Sequence, residues 1–108
     1  MAQLLGSLNK ERALIFLAAR ERGYSRQIAR FFQAPLNPVQ KALEKLEAAG
    51  VVVSRVVGST REYAFNPRYA ARRELAALLD RALSLYPAEL REQLLMIRTR
   101  PRRKGKPL

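Results

Sequence analysis

Residues 34–58, APLNPVQKALEKLEAAGVVVSRVVG, decide the fold of this chain. Asn37 and Pro38 are typical of the start of a helix, because Asn is a preferred N-cap and Pro fits the first helical position. Gln40, three residues after Asn37, completes the spacing of a capping box. The helix is predicted to end at Gly50. A strand rich in valine follows at once, so the stretch predicts a helix that passes directly into a strand.

The predicted helix has an apolar face and a polar face. Its apolar residues recur at helical spacing and are expected to be buried. They are Val39, Ala42, Leu43, Leu46 and Ala49. The polar face carries Gln40, Lys41, Glu44 and Lys45. A helix that contacts DNA presents short polar groups to base edges and longer cations to phosphates, and this polar face has that composition.

A first helix is predicted from the cap Ser7 to about Arg22, ended by Gly23. Its segment ALIFLAA, residues 13–19, is apolar on every side and is therefore expected to be covered on every side. The cover comes either from other helices of the same chain or from a partner subunit. ALIFLAA is too short for a membrane span, which needs about 20 apolar residues, and the acids around it are atypical of a secretory signal. A cytoplasmic protein is expected.

A second, short helix is predicted to begin with Ser25 as its cap. Ile28, Phe31 and Phe32 recur at the spacing of a core stripe. The connection QAPL, residues 33–36, separates this helix from the one described above. Two helices joined in this way form a helix-turn-helix, in which the second helix is normally the recognition helix.

The segments VVVSRVV (residues 51–57) and REYAF (residues 61–65) flank GST and predict a β-hairpin. Tyr63 and Phe65 share a face of this hairpin and are expected to pack on the core.

Two more helices are predicted after the hairpin. The first follows the cap and proline at Asn66 and Pro67, runs to about Tyr86 and is ended by Pro87. The second is AELREQLLMI, residues 88–97. The predicted fold class is mainly α with a small β-hairpin, a winged helix-turn-helix with additional C-terminal helices.

The composition favours a binding protein over an enzyme. The 108 residues carry 21 Lys and Arg against 9 Asp and Glu, a formal net charge of +12, which indicates a polyanion as partner. The chain has no Cys and no His, and Asp80 is its only Asp. Thiolate and imidazole metal sites are therefore excluded, and a carboxylate cluster for phosphoryl transfer is not evident. We expect no enzyme activity and no cofactor.

Four stretches in the same order resemble the ArsR-like winged helix-turn-helix regulators of bacteria and archaea. The resemblance covers about residues 4–67 and is most specific at LEKLEAAGVV followed by the hairpin. The stretches are LLGSLNKERALIFLAA, YSRQIARFF, NPVQKALEKLEAAGVV and GSTREYAFNP. Metal-sensing members bind metal through Cys or His, so the resemblance implies a regulator without metal sensing. Val53, Val56 and Val57 depart from the family, whose hairpins are often basic.

The resemblance implies that the second helix of the motif enters a DNA groove. The residues expected to contact bases are Asn37, Gln40 and Lys41. Those expected to contact phosphates are Ser25, Arg26, Arg30 and Lys45. The residues of the expected wing contact are Arg55, Ser59, Thr60 and Arg61. Each group also has an ordinary structural role: capping for Asn37 and Gln40, surface ion pairs with Glu44 and Glu47 for the lysines, and solvent exposure for the arginines.

The chain divides into three predicted parts. Residues 1–67 form the DNA-binding domain, residues 68–97 the C-terminal helices and residues 98–108 a basic, disordered tail. The tail contains six cations and no acid, and it is expected to bind polyanions without sequence preference. They are Arg98, Arg100, Arg102, Arg103, Lys104 and Lys106.

The C-terminal helices carry an apolar stripe with two possible roles. It consists of Leu75, Leu78, Leu79, Ala82, Leu83 and Tyr86. The stripe either covers the core of the winged domain or forms a two-fold dimer interface, as it often does in the resembling family.

These features predict a bacterial or archaeal transcription regulator that binds double-stranded DNA as a homodimer and represses a promoter in the cytoplasm, at the nucleoid. The sequence identifies no membrane partner and no effector ligand. An RNA- or ribosome-associated winged helix is one alternative, supported by the basic tail. A protein-interaction module is another, supported by the apolar valines of the hairpin.

Overall fold

The computed structural model describes residues 7–95 of the chain. Within this range the elements are α1 (Leu8–Arg20), β1 (Arg22–Tyr24), α2 (Ser25–Phe32), α3 (Leu36–Ala48), β2 (Val52–Val57), β3 (Thr60–Phe65), α4 (Arg72–Ser84) and α5 (residues 88–95). The predicted fold class is confirmed: the chain is a winged helix-turn-helix with helices added after the wing. No helix between residues 7 and 95 is long and apolar enough to cross a membrane.

Helix α1 begins as predicted and ends earlier than predicted. The Ser7 hydroxyl accepts a hydrogen bond from the Lys10 backbone N–H at 3.2 Å, which caps the helix. The last helical residue is Arg20, because Glu21 takes a positive φ of 76° and the chain turns into β1. Gly23 therefore lies in a strand and does not cap the helix. A Cβ atom at Gly23 would lie 2.7 Å from the Phe16 ring, so only glycine fits there.

The core is centred on α1, and the chain's own elements cover it. Ala13, Leu14, Ile15, Phe16, Leu17 and Ala19 are all buried. Side chains from α2, α3, the sheet, α4 and α5 complete the same cluster. Six of the seven residues of segment 13–19 are therefore covered by other elements of the same chain, the first of the two possible covers. Ala18 is exposed, so the expectation of cover on every side is wrong at that position.

The sheet has three antiparallel strands in the order β1-β3-β2. β2 and β3 form the predicted hairpin, joined by Gly58 and Ser59, with Val57 opposite Thr60. Strand β1 was not predicted. Its three residues pair with β3 and place Gly23 opposite Tyr63. Tyr63 is buried and Phe65 packs against the core, as expected.

The predicted caps of α2 and α3 are wrong. Ser25 is the first residue of α2, and the Tyr24 backbone N–H in the cap position donates to Gln27 Oε1 at 3.2 Å. Helix α3 begins at Leu36 after Pro35 in the cap position, with no capping side chain. The predicted start of α3 was wrong because a proline fits any position of the first helical turn. The backbone N–H groups of that turn make no helical hydrogen bond, so the N–H group that proline lacks costs none.

Two predicted details of the helical segments are also wrong. Ala49 lies past the end of α3 and is exposed, so the buried face is formed by the other four apolar residues. Helix α4 begins at Arg72 and not after Asn66 and Pro67. The Asn66 side chain stabilises a turn: its Nδ2 donates to the Gly50 carbonyl at 2.9 Å, and its Oδ1 accepts from the Arg68 N–H at 3.0 Å.

Arg20 attaches α5 to the core. Its guanidinium lies 4.6 Å from the centre of the Phe16 ring and 5.1 Å from that of Phe31. It donates to the carbonyls of Leu94 at 3.2 Å and Gln93 at 3.3 Å. Burial lowers the pKa of Arg20 from its ordinary value. Because the side chain bridges α1 and α5, it serves the fold and is not available to a ligand in this arrangement.

Glu11 is a charged residue in the core, with only 5% of its surface exposed. Its Oε2 accepts from the Tyr86 hydroxyl at 3.2 Å, and its Oε1 has no hydrogen-bond partner. Burial, followed by the Glu11 charge and hydrogen bond, raises the pKa of Tyr86 to about 12. The pair joins the first turns of α1 to the segment after α4, and it depends on a neutral Tyr86.

Replacing Tyr86 by phenylalanine is expected to change how stability depends on pH. The raised pKa favours the protonated phenol in the folded state, so its stabilisation is complete below pH 10.0, the ordinary value, and is lost as the pH rises toward 12. Tyr86→Phe should cost about 1–3 kcal/mol at pH 7, because the Glu11 carboxylate loses its donor. Above pH 10 the difference in free energy of unfolding between the wild type and Tyr86→Phe should become smaller. Urea unfolding at pH 7 and pH 11, with Tyr69→Phe as control, measures this; an equal disadvantage at both values contradicts it.

Candidate nucleic-acid interface

Helices α2 and α3 form the helix-turn-helix. Gln33, in the left-handed conformation with φ of 55°, ends α2, and its N–H donates to the Arg30 carbonyl at 3.2 Å. The Ala34 N–H donates to the Ala29 carbonyl at 2.8 Å. These bonds fix a short turn, after which Val39 and Leu43 hold α3 on the core. The opposite face of α3 is thereby turned outward.

The outward face of α3 presents polar side chains that are not bound by other side chains within residues 7–95. Asn37, Lys41, Glu44 and Lys45 are exposed. Since α3 has no capping side chain, Asn37 is not used as a cap. Within the described residues, neither lysine has a hydrogen bond or an ion pair with Glu44 or Glu47. The face can therefore offer an amide and two cations to a ligand.

Gln40 points away from the centre of this face. It is half-buried and does not cap α3. It lines a groove of about 320 Å³ between the start of α2, α3 and the tip of the wing. The groove is lined by Tyr24, Ser25, Arg26, Leu36, Gln40, Glu44, Ser59, Thr60, Arg61 and Tyr63. The structure thus brings Gln40 together with predicted phosphate and wing residues, rather than with Lys41 alone.

The predicted phosphate contacts on α2 lie beside this groove. Ser25 is half-buried at the first turn, and Arg26 and Arg30 are exposed one helical turn apart. In the described part of the chain, neither arginine has an ion pair. With Phe31 and Tyr24 they line a second groove, of about 600 Å³. Two unpaired guanidinium groups on one helix face suit the oxygens of a polyanion.

The wing arginines are held by the wing itself. Arg55 Nε lies 3.0 Å from Glu62 Oε1, which is also 3.9 Å from Arg22. Arg61 Nη1 donates to Ser54 Oγ at 3.0 Å. Ser54 Oγ in turn donates to Glu47 of α3 at 2.7 Å, which links the wing to α3.

The hydroxyls at the wing tip differ in their contacts. Thr60 Oγ1 donates to the Val57 carbonyl at 3.0 Å and closes the turn, in which Gly58 has a positive φ of 66°. Ser59 is exposed. Below the tip, burial and then the Glu47 charge raise the pKa of Tyr63 above its ordinary value.

The residues predicted to form a dimer interface fall into two groups. Leu79, Ala82 and Leu83 are buried in the core of this chain, the first of their two possible roles. Leu75, Leu78 and Tyr86 are half-buried. The six cations predicted as the tail contact lie outside the described residues.

The sequence pattern missed three features of this surface. It did not find Tyr24, which lines both grooves, because a three-residue strand has no detectable alternation. It did not find the ion pairs of Glu62, although Arg55 and Glu62 lie at positions that a two-residue hairpin turn would place opposite each other. It did not find the bond between Ser54 and Glu47, which no sequence pattern signals. Among the described residues no group of three His, Cys, Asp or Glu could hold a metal ion.

Several solved structures are similar to this chain. ZitR from Lactococcus lactis, as a mutant in apo form, has a TM-score of 0.54 at 17% identity over 96% of this chain and 93% of its own. The adhesin competence repressor AdcR from Streptococcus pyogenes has a TM-score of 0.55 at 13% identity, over 98% of this chain and 91% of its own. A MarR family protein from Mycobacterium tuberculosis has a TM-score of 0.53 at 20% identity, over 97% and 79%.

These likenesses show the winged helix-turn-helix fold. No protein-family model and no curated protein matches the sequence.

Proposed function

We propose that the chain is a transcription regulator that binds double-stranded DNA with α3 in the major groove. The observation that carries this proposal is the outward face of α3, where Asn37, Lys41 and Lys45 are exposed and unpaired within the described residues. Arg26 of α2 lines the adjoining groove together with Gln40 and Glu44, and the exposed Arg30 lies one helical turn further along α2. Recognition helices typically present such polar and cationic side chains to DNA, with phosphate contacts beside them.

The side chains would make different kinds of contact with DNA, according to their chemistry. Asn37 and Lys41 would meet base edges, and Gln40 would reach an adenine from the groove beside the wing. Ser25, Arg26, Arg30 and Lys45 would bind phosphates, which fix the register without reading sequence. The likeness to the adhesin competence repressor, together with the fold, supports regulation by occlusion of a promoter.

The assembly would be a homodimer built on the C-terminal helices, residues 68–97, with the half-buried Leu75, Leu78 and Tyr86 at or near the contact. Such a dimer would bind two half-sites about 34 Å apart on an inverted repeat. The ArsR-like assignment remains a proposal that rests on the four sequence stretches. We place the protein in the cytoplasm at the nucleoid, with no enzyme activity and no cofactor.

Fluorescence anisotropy with short duplexes tests the proposal. One duplex is taken from upstream of the protein's own gene, and the other has the same bases in shuffled order, each at two salt concentrations. A preference for the native duplex of more than tenfold is expected. Equal affinity for both duplexes would contradict sequence-specific regulation from that site.

Removing residues 98–108 is expected to weaken both duplexes alike. The six cations lost would each release counterions on binding, with a slope of about 0.9 per phosphate neutralised, so the salt slope should fall by up to about 5. The ratio between native and shuffled affinities should not change. Anisotropy titrations of the 1–97 chain measure both quantities. If the truncation abolishes the ratio between native and shuffled affinities, sequence recognition depends on the tail.

A protein-interaction module is the second candidate, because Val53, Val56 and Val57 on the wing are exposed. An RNA- or ribosome-associated role is the third, supported by the net charge of +12. A structured RNA of matched length, added as a competitor in the same titration, separates duplex binding from RNA binding. A winged helix that holds a protein would bind both duplexes poorly.

A further inference from the structure

The wing has an unusual distribution of charge for a DNA contact. Its two outer arginines are engaged with partners inside the chain, Arg55 with Glu62 at 3.0 Å and Arg61 with Ser54 at 3.0 Å. Val56, which lies directly opposite Arg61, is 63% exposed. The wing thus presents a valine where a free cation would be expected.

Val56 is on the side of the wing that faces the recognition helix. Successive side chains of a strand alternate between its two faces, so Val56 shares a face with Ser54. Ser54 bonds to Glu47 of α3 at 2.7 Å, and this identifies the face. Val53 lies on the opposite face, where it is 42% exposed opposite Ala64. The two valines are therefore a matched pair on opposite sides of one strand.

We propose that the wing contacts DNA through Val56, which packs against the deoxyribose wall of the minor groove next to the major groove that α3 enters. This inference rests on the proposed function. A valine contributes apolar contact with sugar C–H groups and no charge, so its share of the affinity is independent of salt. Proteins that use the minor groove often place apolar side chains there.

The continuous groove between α2, α3 and the wing tip favours DNA over a protein as the occupant. The groove is lined by Arg26 and Gln40 on one side and by Thr60 and Arg61 on the other. Arg61, which lines the groove, is paired directly opposite Val56 in the hairpin. A duplex held by Arg26 and the outward face of α3 would bring its sugar–phosphate edge to the α3 side of the wing.

The test compares Val56→Ser with Val53→Ser. Both remove two methyl groups from an exposed strand position, so they share any cost in strand propensity, and circular dichroism melts check that both fold. Val56→Ser should weaken binding of the native duplex about fivefold without changing the salt slope, whereas Val53→Ser should change it less than twofold. Val56→Arg should steepen the salt slope by about 0.9, because it adds one phosphate contact.

Hydroxyl-radical footprinting locates the contact, because the radical attacks deoxyribose hydrogens that face the minor groove. Wild type and Val53→Ser should protect sugars at the flank of each half-site, and Val56→Ser should lose only that protection. Equal affinities and footprints for the two serine variants would overturn the inference, and would favour a protein as the partner of the valines, while leaving the proposed function intact. A wild-type chain that binds no duplex would overturn both.

Discussion

Replacing Phe16 by alanine is expected to lower the free energy of unfolding by about 3–5 kcal/mol, the usual cost of removing a fully buried aromatic side chain. Phe16 has no exposed surface. Its ring meets that of Phe31 edge to face at 5.9 Å, and it carries the Arg20 guanidinium at 4.6 Å. Gly23 packs directly against it. The substitution would therefore disturb α1, α2, the sheet and the attachment of α5 together.

Urea unfolding followed by circular dichroism measures this loss. Domains of this size have a total stability of about 5–15 kcal/mol, so the variant should lose a large fraction of it and unfold at a clearly lower urea concentration. Leu85→Ala is the control, because it also removes a large apolar side chain but at a position that is 68% exposed. It should change stability by less than about 0.5 kcal/mol. Equal effects of the two variants would contradict the placement of the core on α1.

The double variant Gln40→Ala with Lys41→Ala is expected to abolish the preference for the native duplex. Lys41 is exposed on the outward face of α3, and Gln40 lines the adjoining groove. In the proposed complex the two side chains would approach one base step from neighbouring directions. A good bidentate contact with a base contributes about 1–3 kcal/mol of discrimination, so the loss of both should exceed tenfold. Binding of the shuffled duplex should weaken by only a few fold, because Arg26, Arg30 and Lys45 remain.

A double variant with the same residue types elsewhere serves as control. Lys10→Ala with Gln93→Ala makes the same change in charge and composition, but on α1 and α5. It should retain the ratio between native and shuffled affinities, measured by anisotropy in one buffer. If the control and the α3 variant lose the preference equally, the discrimination does not come from α3.

The periodicity of apolar residues was sufficient to predict the helices and the hairpin. Leu43 and Val39 on α3, and Ile28 on α2, are buried as their spacing predicted. That signal is strong because each helix has to bury one continuous stripe. The turn between α2 and α3 was predicted because the short connection QAPL, residues 33–36, separates the two periodic segments.

Helix ends and short-range polar contacts could not be predicted in the same way. Asn37 and Asn66 both precede a proline, yet Asn37 lies inside α3 and Asn66 holds a turn against Gly50. The same dipeptide fits a cap, a first turn or an isolated turn, and tertiary contacts select among them. Ser25 was assigned as a cap because of its type, although Tyr24 precedes the helix and bonds to Gln27.

The candidate site also contains features that could be predicted from the sequence and features that could not. The outward positions of Lys41 and Lys45 followed from the helical period. The engagement of Arg55 and Arg61 did not, because it depends on which side chains the hairpin register brings together. Because both arginines are bound to partners within the wing, Val56 is the side chain that we propose for the wing's contact with DNA.

Nuclear magnetic resonance of the ¹⁵N-labelled chain, titrated with the native duplex, tests the central claim most directly. If α3 is the DNA-reading surface, the amides of α3 from Asn37 to Lys45 should show the largest chemical-shift changes, followed by those of Ser25, Arg26 and the wing tip. Amides of α5 and of the outer face of α4 should change little. Changes that are largest on α4 and α5, with α3 unaffected, would contradict the account.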